Sequence, residues 1–307
     1  MKTPLAIVIT GPTASGKSAL AINLARVLQT EIISADSRQI YKGIPIVTAV
    51  PPIEEREGIQ HHLLEILDLK DYYSAASFQQ DASSILKNLF FSHDTVVVCG
   101  GSMLYLDALI NGIDELPTVP SDVRNRLMSD WQTNGNEWLI EYLKKLDYEY
   151  FKKIDHRNLK RVFHAVEISI TAGVPYSSLL IGKMVPKDFN ILKICLTGNR
   201  DYLFNRINQR VITMMESGLE EEARKVYHLR HLNSLNTVGL KEMFNWFDGK
   251  MTREEAIARI QKNTRVYAKK QETWHKKDKK AVRLDFASPQ SININKIIGF
   301  ISSFRND

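Results

Sequence analysis

The chain of 307 residues contains only two cysteines, Cys99 and Cys195. Both fall in segments that read as buried strands, which excludes a disulfide framework or a thiolate zinc site and suits a reducing cytoplasm. No apolar run approaches the roughly 20 residues of a membrane span. The first residues lead straight into a strand-like run, so no signal peptide is expected. His61 and His62 have no third ligand beside them and read as structural, not as a metal site. There is no internal repeat and no low-complexity segment. The composition, 44% hydrophobic and 25% charged, is that of an ordinary globular protein with room for one larger and one smaller domain. A net charge of +6 and a pI near 9.1 hint at a polyanionic partner without identifying one.

What is present is more specific. Gly11-Pro12-Thr13-Ala14-Ser15-Gly16-Lys17-Ser18 fits the phosphate-cradling pattern G-x-x-x-x-G-K-[ST]. Leu5 to Thr10 reads as a buried strand before it, and Ala19 to Leu28 as the helix after it. Glycines let backbone N–H groups turn onto an anion, and the helix start adds positive potential. Lys17 can neutralise phosphate oxygens, and the Ser18 hydroxyl can ligate Mg²⁺.

Glu31 to Asp36 reads as a second strand ending in a carboxylate. Strand ends line the ligand crevice of doubly wound sheets, so Asp36 is placed to act as a base or to hold a metal-bound water. The alternative is that it only caps the next turn. A third strand, Thr95 to Cys99, is followed by Gly100-Gly101-Ser102, where an NTP-hydrolysing motor would carry an acid. This favours group transfer, with Ser102 aimed into the crevice.

The α/β pattern runs to about Gly112, with helices expected at Ser77 to Phe90 and Leu104 to Ile110. Leu116-Pro117-Thr118-Val119-Pro120 marks a boundary. Helix signals alone follow, with caps at Ser121, Asn136 and Asn158 and a stop at Gly173 and Pro175. Pro186 marks a second boundary, before another buried strand at Ile191 to Leu196. The fold expected is an α/β phosphate-loop domain, a parallel sheet flanked by helices, made of residues 1–116 and 188–307. An all-helical insertion occupies 117–187.

A helix over Arg200 to Glu216 carries Arg200, Arg206 and Arg210. Arg200 and Arg206 either reach over a bound diphosphate or belong to an exposed basic face. Thr252-Arg253-Glu254-Glu255 is a capping box opening a helix to about Lys277. Projected at about 100° per residue, Lys262, Arg265, Lys269, Lys276 and Lys280 form one stripe. Ile257, Ile260, Tyr267 and Trp274 fall opposite and are expected to anchor the helix to the core. A purely basic stripe about 27 Å long at 1.5 Å per residue favours nucleic acid over a merely solvated face.

Taken in order, several segments resemble the tRNA dimethylallyltransferase family. They are GPTASGKS, Asp36 to Tyr41 (DSRQIY), Thr48-Ala49, His61-His62-Leu63, Tyr73 to Ala76 and Gly100 to Tyr105 (GGSMLY). Arg161, Ala165 and Glu167 follow, then Arg200-Asp201, Gly218-Leu219, Gly239 with Lys241-Glu242, and Thr264 to Trp274 (TRVYAKKQETW). The resemblance covers nearly the whole chain. It implies transfer of the dimethylallyl group of dimethylallyl diphosphate to N6 of adenine 37 of tRNA by a cytoplasmic, monomeric enzyme using Mg²⁺. The phosphate loop, Lys17, Ser18, Arg200 and Arg206 would then hold the diphosphate, and Asp36 would accept the proton. Asp36, Ser37, Arg38, Gln39, Ser102, Arg124 and the stretch Leu159, Lys160, Arg161, Val162, Phe163 would contact tRNA, as would the basic stripe. Ser102 stands where the family usually has Thr, Val47 for Gly, Val50 for Lys, and Asp155 to Leu159 for HPNDP. His164 stands for Arg, Leu240 for Tyr, Lys270 for Arg and His275 for Phe. A small-molecule kinase shares the loop but leaves the basic stripe unexplained, and a nucleic-acid-binding ATPase conflicts with the Gly-Gly-Ser strand end. The sequence leaves open whether a nucleotide such as ATP also occupies the loop.

Overall fold

The computed structural model describes residues 3–182 and 187–306, so the boundary read at Pro186 lies outside the described residues. Six strands form one sheet: β1 (Leu5–Thr10), β2 (Ile32–Ser34), β3 (His61–His62), β4 (Thr95–Cys99), β5 (Asn190–Thr197) and β6 (Val282–Asp285). Their order is β3-β2-β4-β1-β5-β6, and every neighbouring pair is parallel. In the central strand, Ile7 stands opposite Val97 of β4 and Leu192 of β5. Such a strand is covered on both faces, which is why it reads as an unbroken apolar run. Leu5, Ile7, Val8 and Ile9 are all buried. The chain leaves β1 toward β2 on one side and later adds β5 and β6 on the other. The carboxyl end of β1 is therefore a switch point, where open sheets leave a crevice.

β2 stops at Ser34, two residues short of the expected carboxylate, and Asp36 sits in the following turn. β3 has no counterpart in the sequence pattern, because two residues carry no periodicity. There His62 Nε2 pairs with Glu31 at 2.6 Å and His61 Nδ1 with the Ile59 carbonyl at 2.8 Å, the structural roles expected of both.

The chain divides into two compact units, Met1–Ile110 with Pro186–Asp307, and Asn111–Val185. The second unit is helical among its described residues. Its core gathers Leu139, Leu143, Val162 and Val166. In place of the two helices expected from Ser121 and Asn136 there is one, Ser121–Leu146, broken at Gly135, where φ is 83°. The Asn136 side chain accepts the indole N–H of Trp131 at 3.0 Å. Asn158 caps the helix Leu159–Ala172, and Gly173 in the left-handed region ends it.

In the first unit the capping box opens the helix Arg253–Lys276, with Glu255 N–H donating to Thr252 Oγ1 at 3.1 Å. Its buried face is rotated from the one expected: Ala256, Ile260, Ala268, Gln271 and His275 are buried, while Tyr267 and Trp274 lie at the edge. Two polar residues hold this seat because β1 and its loop offer polar partners there. His275 Nε2 lies 3.3 Å from Thr10 Oγ1 at the end of β1. Burial, with Lys17, Lys193 and Arg283 nearby, pushes its imidazole down to about 4. The ring is neutral in the fold, but below about pH 6.5 it takes a proton in the unfolded chain. Its contribution is therefore complete above that pH and is lost as pH falls through about 4, roughly 3 kcal/mol in all. In urea unfolding, the stability advantage of the protein over His275→Gln should shrink by about that amount between pH 7 and pH 4. An advantage that does not change with pH would mean that the ring is solvated.

Candidate active site

The loop after β1 shows why its sequence is constrained. Gly11 has φ +146°, and a Cβ there would meet the Leu196 carbonyl at 2.8 Å. Gly16, with φ +89°, precedes the helix Lys17–Leu28. Lys17 Nζ donates to the Pro12 carbonyl at 2.8 Å and so closes the loop on itself. Burial pushes its ammonium down to about 8; Cys99 and Asp36 act against that shift and Arg210 adds to it. On the far side, Gly100 is packed so closely that a Cβ would lie 2.1 Å from the Ala35 carbonyl oxygen. The glycines of the β4 end thus bring β4 and the β2 turn together.

A cavity of about 320 Å³ opens over this loop, lined by Lys17, Ser18, Asp36, Gly101, Arg206 and Arg210. A second of about 340 Å³ is more apolar, with Val211, Met214, Ile260 and Tyr267 in its wall. Thr13, Asp36, Thr48 and Arg210 line both. Asp36 therefore stands where the two meet.

The structure revises the expected arginines. Arg206 and Arg210 lie one helical turn apart on Arg200–Glu216 and both line the first cavity. Arg210 Nη1 reaches Thr13 Oγ1 at 3.4 Å, and burial pulls its guanidinium below the usual arginine range. Arg200 points elsewhere. It pairs with Glu272 at 3.0 Å beside a separate cavity of about 180 Å³. Arg210, not Arg200, completes the cationic set, and its i+4 spacing from Arg206 was the signal available in the sequence.

The Asp36 segment combines both readings offered for it. Asp36 Oδ1 accepts the N–H groups of Arg38 at 2.9 Å and Gln39 at 3.4 Å, so it does cap the turn. Oδ2 has no hydrogen bond among the described residues and is left to the cavities. Ser102 is buried and accepts the Ser37 N–H at 2.8 Å. It lines neither of the two cavities, and its hydroxyl supports the turn after β2. Arg38 donates to the carbonyls of Asn233 and Ser234 at 2.9 and 3.2 Å, and Gln39 to those of Thr48 and Ala49 at 3.0 and 2.9 Å. Arg38 thus fastens a wall of the second cavity and Gln39 a wall of the first. Ser37 lines the second cavity directly.

Of the basic stripe, Lys262, Lys269 and Lys276 are exposed. Arg265 is bound to Asn208 of the neighbouring helix, and Lys269 Nζ sits 5.4 Å from the Phe204 ring centre. In the helical unit, Arg124 grips Glu167 with two hydrogen bonds of 2.8 and 2.9 Å. Glu167 is buried yet held below its ordinary range: His164 and Arg124 overcome its desolvation. Val162 and Phe163 are buried in that unit's core, so their side chains serve packing, whereas Lys160 and Arg161 are exposed. Leu159–Ala172 buries Val162, Phe163 and the continuous run Ala165 to Ser169, so most of its middle lies inside the unit's core.

Among the described residues, no group of three His, Cys, Asp or Glu side chains could hold a metal by itself. The Ser18 hydroxyl and the Asp36 carboxylate are hard oxygen donors in one cavity. That set fits Mg²⁺, which keeps several waters and takes its other ligands from phosphate.

Residues 39–278 match the model of the IPP transferase family. The chain is 47% identical over 273 residues to tRNA dimethylallyltransferase 2 of Azobacteroides pseudotrichonymphae, covering 89% of each. It is 43% identical to tRNA dimethylallyltransferase of Christiangramia forsetii, covering 96% of each. Among solved structures it resembles the tRNA isopentenylpyrophosphate transferase of Bacillus halodurans, with a TM-score of 0.72, 34% identity and coverage of 98% and 96%. It also resembles a eukaryotic dimethylallyltransferase acting on tRNA, with a TM-score of 0.83, 26% identity and coverage of 98% and 80%. With the family model matched over residues 39–278 and curated relatives 47% and 43% identical over 89% and 96% of its length, the chain belongs to the IPP transferase family.

Proposed function

We infer that the chain transfers the dimethylallyl group of dimethylallyl diphosphate to N6 of adenine at position 37 of tRNA and releases diphosphate. The observation that carries this reading is the meeting of a cationic cavity and a more apolar one at Asp36. The diphosphate lies over the loop, where Lys17, Arg206 and Arg210 neutralise charge as the C–O bond breaks. Ser18 would hold Mg²⁺, which would supply Lewis-acid stabilisation to the same oxygens. The adenine is flipped out of the anticodon loop to reach Asp36. As the N–C bond forms, Asp36 Oδ2 takes the proton that the exocyclic amine gives up. Cys99-Gly100-Gly101 supplies no acid to position water, which would compete as nucleophile. Ser37 and the exposed Lys160, Arg161, Lys262, Lys269 and Lys276 contact the RNA. No helix among the described residues is long and apolar enough to cross a membrane. A cytoplasmic monomer meets the needs of this reaction.

Asp36→Asn keeps the turn's acceptor but removes the base. Turnover should fall about 10²–10⁴-fold with tRNA affinity nearly unchanged, as read by single-turnover assay and filter binding. Near-normal turnover would remove Asp36 from the role.

Arg210→Ala and Lys17→Ala should each lower kcat/KM for the donor by several kcal/mol equivalents, about 10²-fold or more. Arg200→Ala should cost far less, because its guanidinium is paired with Glu272 outside the cavity. EDTA should abolish activity and Mg²⁺ restore it.

Changing Lys262, Lys269 and Lys276 together to Gln should leave the melting temperature almost unaltered. The log–log salt dependence of tRNA affinity should flatten by about 0.7–0.9 for each phosphate that is no longer neutralised. An unchanged slope would return the stripe to a solvated face.

A further inference from the structure

The helix Arg253–Lys276 turns one amide inward. Gln271 is 1% exposed. Its Oε1 accepts the Thr13 N–H at 2.8 Å, and its Nε2 donates to the Gly101 carbonyl at 2.9 Å. Thr13 belongs to the phosphate loop after β1, and Gly101 follows β4, the neighbouring strand. One planar side chain therefore joins the two lips of the crevice. Gly101 makes room for it, since a Cβ there would stand 2.7 Å from Nε2 and 3.8 Å from Lys17 Nζ. Thr13 and Gly101 both line the cavity that holds Lys17, Arg206 and Arg210. A buried amide satisfied at both ends costs a great deal to break.

We propose that Gln271 is a positioning residue for the donor. It fixes the spacing between the phosphate loop and the β4 end that frame the diphosphate. This rests on the reading that the diphosphate occupies the first cavity. It predicts a different consequence for each replacement. Methionine has nearly the same length but can neither accept from Thr13 nor donate to Gly101. Glutamate accepts from Thr13, but it offers Gly101 a proton only when its carboxyl is neutral.

The test uses the full chain with Mg²⁺, inorganic diphosphate as the binding probe, and steady-state kinetics with dimethylallyl diphosphate and tRNA between pH 6 and 8.5. In Gln271→Met, diphosphate affinity and donor kcat/KM should fall about tenfold or more, with tRNA affinity within about twofold of the parent. In Gln271→Glu, donor kcat/KM should be low at pH 8. It should recover about tenfold relative to the parent toward pH 6, as the carboxyl takes up a proton and regains its donor. A Gln271→Glu profile parallel to that of the parent, or equal losses for donor and tRNA, overturns the proposal. If Gln271→Met does not fold, the pH profile and diphosphate affinity of Gln271→Glu decide alone. A parent protein that binds no diphosphate refutes the donor reading itself. A parent that binds it with both variants unchanged refutes only the role of Gln271.

Discussion

Three cations, Lys17, Arg206 and Arg210, share one partly dehydrated cavity with two carboxylates, Asp36 and Glu55. Within this arrangement, burial and mutual repulsion hold Lys17 near 8 and pull Arg210 below its usual range. Such repulsion is a standing cost to the fold, and a doubly charged anion removes it. The site is thus built for its ligand's charge before the ligand arrives, which is what electrostatic preorganisation requires. The close-packed sheet end resists collapse. Gly11 and Gly100 approach neighbouring backbone so closely that no side chain fits between them.

How far the sequence revealed this depended on how local each signal was. The phosphate loop, β1, β4, the helix Arg200–Glu216 and the caps at Thr252 and Asn158 are encoded within a few residues, and they stand where the pattern placed them. The same pattern could not separate Arg200 from Arg210, because which arginine enters the cavity depends on the pairing of Arg200 with Glu272, 72 positions away. Arg38 and Gln39 sit in a recognisable motif, yet their side chains are spent on the carbonyls of Asn233, Ser234, Thr48 and Ala49. Motif membership told of importance and not of role. The face of the basic helix escaped for the opposite reason. Hydropathy favoured Tyr267 and Trp274 as anchors, while the buried seat went to Gln271 and His275, whose partners lie on the phosphate loop, beyond β4 and on β1.

In the helical unit, the amphipathic period of Leu159–Ala172 makes Val162 and Phe163 core residues, whatever function their neighbours serve. Exposed Lys160 and Arg161 share that helix without sharing its constraint. Charge on the outer face can change with little cost to packing, whereas the Arg124–Glu167–His164 cluster ties three positions together around one buried carboxylate.

The pairing of β1 with β5 bears on how the chain is made. β1 is complete by residue 10 and gains β4 by residue 99, but β5 begins at residue 190. At roughly 5–20 residues per second on the ribosome, its second neighbour follows β4 by some 5–20 s. Through that interval, the most apolar strand of the protein is an edge with unpaired N–H and C=O groups, the form of sheet most open to wrong pairing. The helical unit is translated in the same interval with its own core. It can fold without waiting for the sheet, so the newly made chain is exposed to aggregation chiefly along one side of β1.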